Sequence, residues 1–150
     1  MNLCKKCNKI SYNQFYCNKC RSAMNAEYHQ ANKDKKNKRR KERIKVDLKF
    51  KLCESARNCI RYAIKHPNSS SLLLKHLGYT GQELIRHIEK HFKPGMKWAN
   101  RTEWHIDHIV PVKDFHFITI EDENFKQCWK LSNLQPLWSK ENLCKGCRTK

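Results

Sequence analysis

Glu103-Trp104-His105-Ile106-Asp107-His108-Ile109-Val110-Pro111 is the stretch on which the fold turns. A carboxylate stands directly beside an imidazole, with apolar residues on both sides. The richness in Ile, Val and Trp predicts a strand over residues 103–110. Asp107 can hold a hard divalent cation through oxygen, and His108 can take a proton near neutral pH. Downstream, Leu134 to Trp138 reads as a second strand. Residues 112–132 between the two form a longer loop with a short helix around Asn124 to Lys130. Ser139 is of N-capping type for a final helix that carries Asn142 in its first turn. Strict alternation sends Asp107 and His108 to opposite faces of a strand, so the strand has to twist or end there for both to serve one site.

Asp107-His108, then Asn133, then Asn142 nine positions on, follow one another in a specific setting. That setting is Gly95-Met96-Lys97-Trp98, the Trp104 to Pro111 segment, and Asn133-Leu134-Gln135-Pro136-Leu137-Trp138 followed by Lys145-Gly146. It resembles the HNH endonucleases of phages, large DNA viruses and mobile introns, over roughly residues 72–147. The resemblance implies a ββα-metal core over residues 98–150, in the order strand, loop, strand, helix. It implies His108 as the general base that activates water, and Asp107 as a ligand of a single Mg²⁺ or Mn²⁺. Asn133 would be the middle Asn that ties the loop down and orients His108. Asn142 stands where many members have His, an H-N-N variant whose weaker oxygen donor shifts the preference from zinc or nickel towards Mg²⁺.

The implied reaction is hydrolysis of DNA phosphodiesters, leaving 5′-phosphate and 3′-hydroxyl ends. Loss of the water proton suits an imidazole of near-neutral pKa, and the charge on the departing oxygen calls for a cation with open positions. The dipole of the last helix would favour the scissile phosphate. Lys145 and Arg148 would neutralise phosphate nearby, or else be solvated cations at a helix end. Asn124 is the alternative middle Asn, His105 is a candidate third ligand or a packing group, and His116 is incidental. The rival class is a noncatalytic zinc-dependent DNA-binding protein on the same fold, against which the intact Asp107, His108, Asn133 and Asn142 set argues. An RNA-processing nuclease is a third reading.

The whole-chain balance fits a polyanionic partner. The 32 Lys and Arg stand against 14 Asp and Glu, a formal charge of +18, which favours double-stranded DNA over an acidic lipid surface. From Lys33 to Lys45 runs a dense basic stretch that includes Lys38, Arg39, Arg40, Lys41 and Arg43. These side chains would contact phosphates without reading sequence; the alternative is a solvated tail or a localisation signal.

There are nine cysteines, and Cys4-x2-Cys7 and Cys17-x2-Cys20 have the spacing of a tetrahedral structural Zn²⁺ site rather than a disulfide framework. Tyr12, Phe15 and Tyr16 are expected to pack around it. Cys144-x2-Cys147, with Cys128 or with one of the N-terminal pairs, is a candidate second site. His87 and His91 lie one helical turn apart, a candidate metal pair more often met as partly exposed histidines.

With no secretory signal at Met1 to Lys6 and no apolar run of membrane-spanning length, an intracellular, reducing location is expected, with no membrane or small-molecule cofactor and a monomeric state. The expected organisation is a Cys4 module over residues 1–24, a basic linker or helix over 25–45, and a helical segment with the nuclease core over 46–150. Within the last, Ile44, Leu48, Leu52, Ala56, Ile60 and Ile64 predict one amphipathic helix from about Lys41 to His66, and Thr80 with Glu83 predicts a capping box that opens a second. The fold class expected is α+β.

Overall fold

The computed structural model describes residues 2–11 and 15–146; Tyr12, Cys147 and Arg148 lie outside them. The chain divides into two compact units, Met1–Val46 and Asp47–Lys150. In the first, β1 (Asn2–Leu3) pairs antiparallel with β2 (Ile10–Ser11). Strands of two residues cannot stand alone, so this ribbon depends on what its turn holds.

Two helices follow, α1 (Asn18–Ala31) and α2 (Lys33–Val46). They meet at Asn32, whose side-chain amide donates to the Tyr28 carbonyl at 2.8 Å. The basic stretch is therefore helical, with Lys38, Arg39, Arg40, Lys41 and Arg43 all exposed on α2. Neither helix buries a residue, so packing does not stabilise them as it does most protein helices.

The second unit opens with α3 (Leu48–Lys65). The single helix expected from about Lys41 to His66 is broken at Asp47, which leaves the helical region (φ −108°, ψ 95°) and caps α3 by accepting the Phe50 N–H at 2.8 Å. Of the expected apolar stripe, Leu52, Ala56, Ile60 and Ile64 pack on the core, while Ile44 lies on α2 and Leu48 is exposed. Each step of four residues overshoots a full turn by about 40°, so six such positions wander by about 200° around the axis. The buried residues of α3 are Cys53, Ala56, Ile60 and Ala63.

After α4 (Leu72–His76), α5 (Gly81–Lys90) opens on the expected capping box: the Thr80 hydroxyl accepts the Glu83 N–H, and the Glu83 carboxylate accepts the Thr80 N–H at 2.7 Å. Gly81 meets Pro67 so closely that a Cβ would lie 3.0 Å from the Pro67 carbonyl oxygen and 3.3 Å from that of Ala63.

β3 (Trp104–His108) and β4 (Leu134–Trp138) pair antiparallel, with Trp104 opposite Trp138 and His108 opposite Leu134. α6 (Glu123–Trp129) lies between them in sequence, and α7 (Ser139–Lys145) follows β4 and packs on both strands. Ser139 is the first residue of α7 and not its cap; the Trp138 N–H at that end reaches the Glu141 carboxylate at 3.2 Å. Among the described residues there are seven α-helices and two two-stranded ribbons, an α+β fold.

Trp104, Phe125, Trp129, Leu84, Ile88 and Leu134 are fully buried beside the α3 face, each contributing on the order of 2 kcal/mol by removal from water. The Trp129 indole nitrogen is buried without a hydrogen-bond partner among the described residues, but two other polar atoms here are met. The Trp104 indole donates to the Lys97 carbonyl at 2.9 Å, and the Tyr79 hydroxyl to that of Trp129 at 2.9 Å.

Candidate functional site

Cys4, Cys7, Cys17 and Cys20 place their sulfurs within 4.8 Å of one another, with Cys7 and Cys17 at 3.7 Å. Four sulfurs at a zinc bond length of about 2.3 Å lie about 3.8 Å apart along the edges of a tetrahedron. The four cysteines can hold a metal ion. The chain folds to allow it: Asn8, at φ 54°, turns the backbone so that the Cys4 N–H reaches the Lys9 carbonyl and the Asn8 N–H reaches that of Cys4, both at 2.9 Å. The second pair sits at the start of α1.

Hydrogen bonds among the four cysteines shift the pKa values of their thiols apart. The backbone N–H of Cys17 is the main group holding the Cys4 thiol down, at about 6. Hydrogen bonds shared with Cys7 and Cys17 push Cys20 up to about 12. Four sulfurs this close cannot all ionise without a cation among them. Phe15 does not pack as expected; it is half-exposed, with the Lys5 ammonium 4.7 Å above its ring. Cys128 is buried and Cys144 exposed, and among the described residues neither joins a metal-ligating group.

In the second unit, alternation along β3 sorts its side chains. His105 and Asp107 meet α7, where Asn142 and Lys145 stand three residues apart. The Asn142 amide lies 3.0 Å from His105 Nδ1, and the Lys145 ammonium donates to Asp107 Oδ2 at 2.6 Å and also to the His108 carbonyl. Trp104 and His108 turn the other way, with the His108 ring packed edge-on to Trp129 at 4.5 Å. A cavity of about 320 Å³ nevertheless takes in His105, Ile106, Asp107 and His108 together with Asn142. Alternation thus turns Asp107 and His108 to opposite sides of β3, and both still border this one cavity.

Asn133 is 4% exposed. Its Oδ1 accepts the Val110 N–H at 2.8 Å, and its Nδ2 donates to the Val110 and Cys128 carbonyls at 3.2 and 2.8 Å. The Ile109 N–H adds a bond to the Asn133 carbonyl at 2.8 Å. The two residues after β3 are thereby pinned. Asn124 instead donates to the His116 carbonyl at the surface.

Burial is the main cause that drives the His108 imidazole down to about 4; Asp107 opposes the shift, and Arg57 and Lys145 reinforce it. The ring is neutral at pH 7 and able to accept a proton. Its Nε2 is buried without a hydrogen-bond partner.

Lys145 is placed otherwise than expected. Its side chain is 5% exposed and engaged by Asp107, so it is neither a solvated helix-end cation nor turned outward to a phosphate. A carboxylate only 17% exposed would be costly to leave unpaired. Nor do His87 and His91 form a metal pair: His87 Nε2 donates to the Leu134 carbonyl at 2.9 Å, and His91 Nδ1 to the His87 carbonyl at 2.8 Å.

The sequence reading missed three cations. Arg57 and Arg61 of α3 and Arg101 before β3 line the same cavity. Their one local signal is the i, i+4 spacing of Arg57 and Arg61, which stands out little in a chain with 32 Lys and Arg.

No family model and no solved structure matches the chain. Two proteins of Acanthamoeba polyphaga mimivirus are similar to it. "Uncharacterized protein L426" is 33% identical over 116 residues, 77% of this chain. "Uncharacterized protein L246" is 28% identical over 117 residues, 75% of this chain. The matched segments cover 50% of each relative, so the chain spans about half the length of the relatives it matches.

Proposed function

We propose that the chain is a metal-dependent DNA endonuclease of the HNH type, with a ββα-metal core formed by β3, β4 and α7. The observation that carries the reading is the meeting of Asp107, His108 and Asn142 on one cavity. His108, buried and neutral, would take the proton of the attacking water. Asp107 and Asn142 would hold one Mg²⁺ or Mn²⁺, with His105 beside them; one carboxylate, one amide and room for waters suit a hard cation. That ion, when bound, would offset charge building on the phosphate. Asn133 would act through Val110, fixing the strand end that presents His108.

The four cysteines would hold one Zn²⁺ that shapes the first unit and performs no chemistry. α2 would lie along the phosphates of double-stranded DNA through Lys38, Arg39, Arg40, Lys41 and Arg43. The protein would act as an intracellular monomer without a small-molecule cofactor. Among the described residues no helix is long and apolar enough to cross a membrane.

A plasmid-nicking assay with Mg²⁺ tests the reading. His108→Ala should lower the rate by about 10²- to 10⁴-fold with DNA affinity nearly unchanged; cleavage at the wild-type rate would remove His108 as the base. The noncatalytic reading also has a specific support, since the Lys145 ammonium already occupies Asp107 Oδ2. Wild-type protein that binds DNA and never nicks it would select that reading.

A further inference from the structure

Arg57 and Arg61 stand one turn apart on α3 and share the cavity with Arg101, His105, Asp107, His108 and Asn142. The lining holds three guanidinium groups and one carboxylate, and that carboxylate is already met by Lys145 at 2.6 Å. Arg57 donates through one NH group to Glu54 at 3.0 Å, and Arg61 through one to Asn58 at 3.0 Å. A guanidinium has five N–H donors, so each keeps the greater part of its fork for another acceptor. Arg101 is half-buried, with its charged group 4.2 Å over the Trp104 ring and one donor on the Trp104 carbonyl.

These cations are close enough to act on one another and on the site. Burial first, and then the charge of Arg61, disfavours the charge on Arg101. Like charges gathered at a cavity raise its free energy unless an anion enters. Three planar forks can be filled by an anion with more than the two oxygens of a carboxylate, and phosphate matches their geometry. The cavity runs along β3, which suits one link of a polymer.

We propose that Arg57, Arg61 and Arg101 form a cradle for a backbone phosphate of the nucleic acid, holding the strand against the Asp107–His108 end of β3. The choice of a phosphodiester over other anions rests on the nuclease reading; the cradle itself is tested apart from cleavage. Phenylglyoxal modifies accessible arginines, and mass spectrometry resolves them singly. The full-length protein is treated without added Mg²⁺, alone, with a 20-base-pair duplex, and with inorganic phosphate at the same phosphate concentration.

The duplex should slow modification of Arg57 and Arg61 by about tenfold, the occupancy expected where the bound form exceeds the free form by that factor. Arg86, exposed on α5 and outside the cavity, should react unchanged. Equal rates at Arg57, Arg61 and Arg86 overturn the cradle, and protection by inorganic phosphate with none by the duplex overturns the backbone assignment. Arg57→Gln and Arg61→Gln should each raise the half-saturating duplex concentration by about tenfold with the melting temperature unmoved. Protection without nicking keeps the cradle and ends the nuclease reading; nicking without protection does the reverse.

Discussion

Replacement of Asn133 by Ala tests the pin behind β3. The change removes three hydrogen bonds, two to Val110 and one to Cys128. Their partners do not suffer alike. Val110 is 38% exposed and can recover water, so each of its two groups should cost about 0.5–1 kcal/mol. Cys128 is 0% exposed, so its carbonyl is left without a partner in the core at about 1–3 kcal/mol. The sum is about 3 kcal/mol, a large share of the 5–15 kcal/mol typical of a domain.

Urea unfolding followed by tryptophan fluorescence should show the midpoint falling with the slope unchanged, and the melting temperature falling by about 10–20 °C. Asn133→Asp should be at least as damaging at neutral pH, because it sets an acceptor against the Val110 and Cys128 carbonyls. A loss below about 1 kcal/mol for Asn133→Ala would refute the reasoning, since even one buried orphan carbonyl should exceed it.

Elemental analysis should find about one zinc per chain, and Cys17→Ser should lose it together with the fold of the N-terminal ribbon, with the unfolding of the second unit unmoved. A zinc-free protein that keeps β1 and β2, as read by amide exchange, refutes the Cys4 site. Gly81→Ala should destabilise the second unit by about 1–3 kcal/mol, because the new methyl meets backbone of Pro67 and Ala63 that cannot swing aside; thermal melting checks it.

The capping box gives a pH dependence. Bonds from Thr80 hold the Glu83 carboxyl below its ordinary 4.5, so its contribution is present above that value and is lost as pH falls through the lower folded-state value. Wild type should therefore lose more stability than Glu83→Gln on acidification from about pH 6 to about pH 3; matching urea midpoints across that range would exclude the effect.

What the sequence disclosed depended on range. The capping box at Thr80, the strand from Leu134 to Trp138 and the two Cys-x2-Cys turns are local patterns, each legible in a few consecutive residues. The break at Asp47 was local too, but the basic and apolar periodicities on its two sides run together and hide a capping Asp. Lys145 meets Asp107 across 38 positions, and Asn133 meets Val110 across 23. No spacing rule predicts such meetings, and the arginines of α3 face the cavity only because α3 packs through Cys53, Ala56, Ile60 and Ala63.

The hairpin of β3 and β4 has a further consequence, for the protein's behaviour at high concentration. A ribbon of two strands has two outer edges, and an open edge is a template on which another chain can add a strand. The bonds from Ile109 to Asn133 and from Ser139 to Glu103 set the phase of the ladder, so that Pro136 turns its nitrogen, which bears no hydrogen, outward. The neighbouring outward carbonyl, that of Leu134, is taken by His87. Along β3 lie Arg57, Arg61 and Arg101, long cations that repel a second copy of themselves. Pro136 and His87 thus blunt the outer edge of β4, and the three arginines gather like charge beside β3.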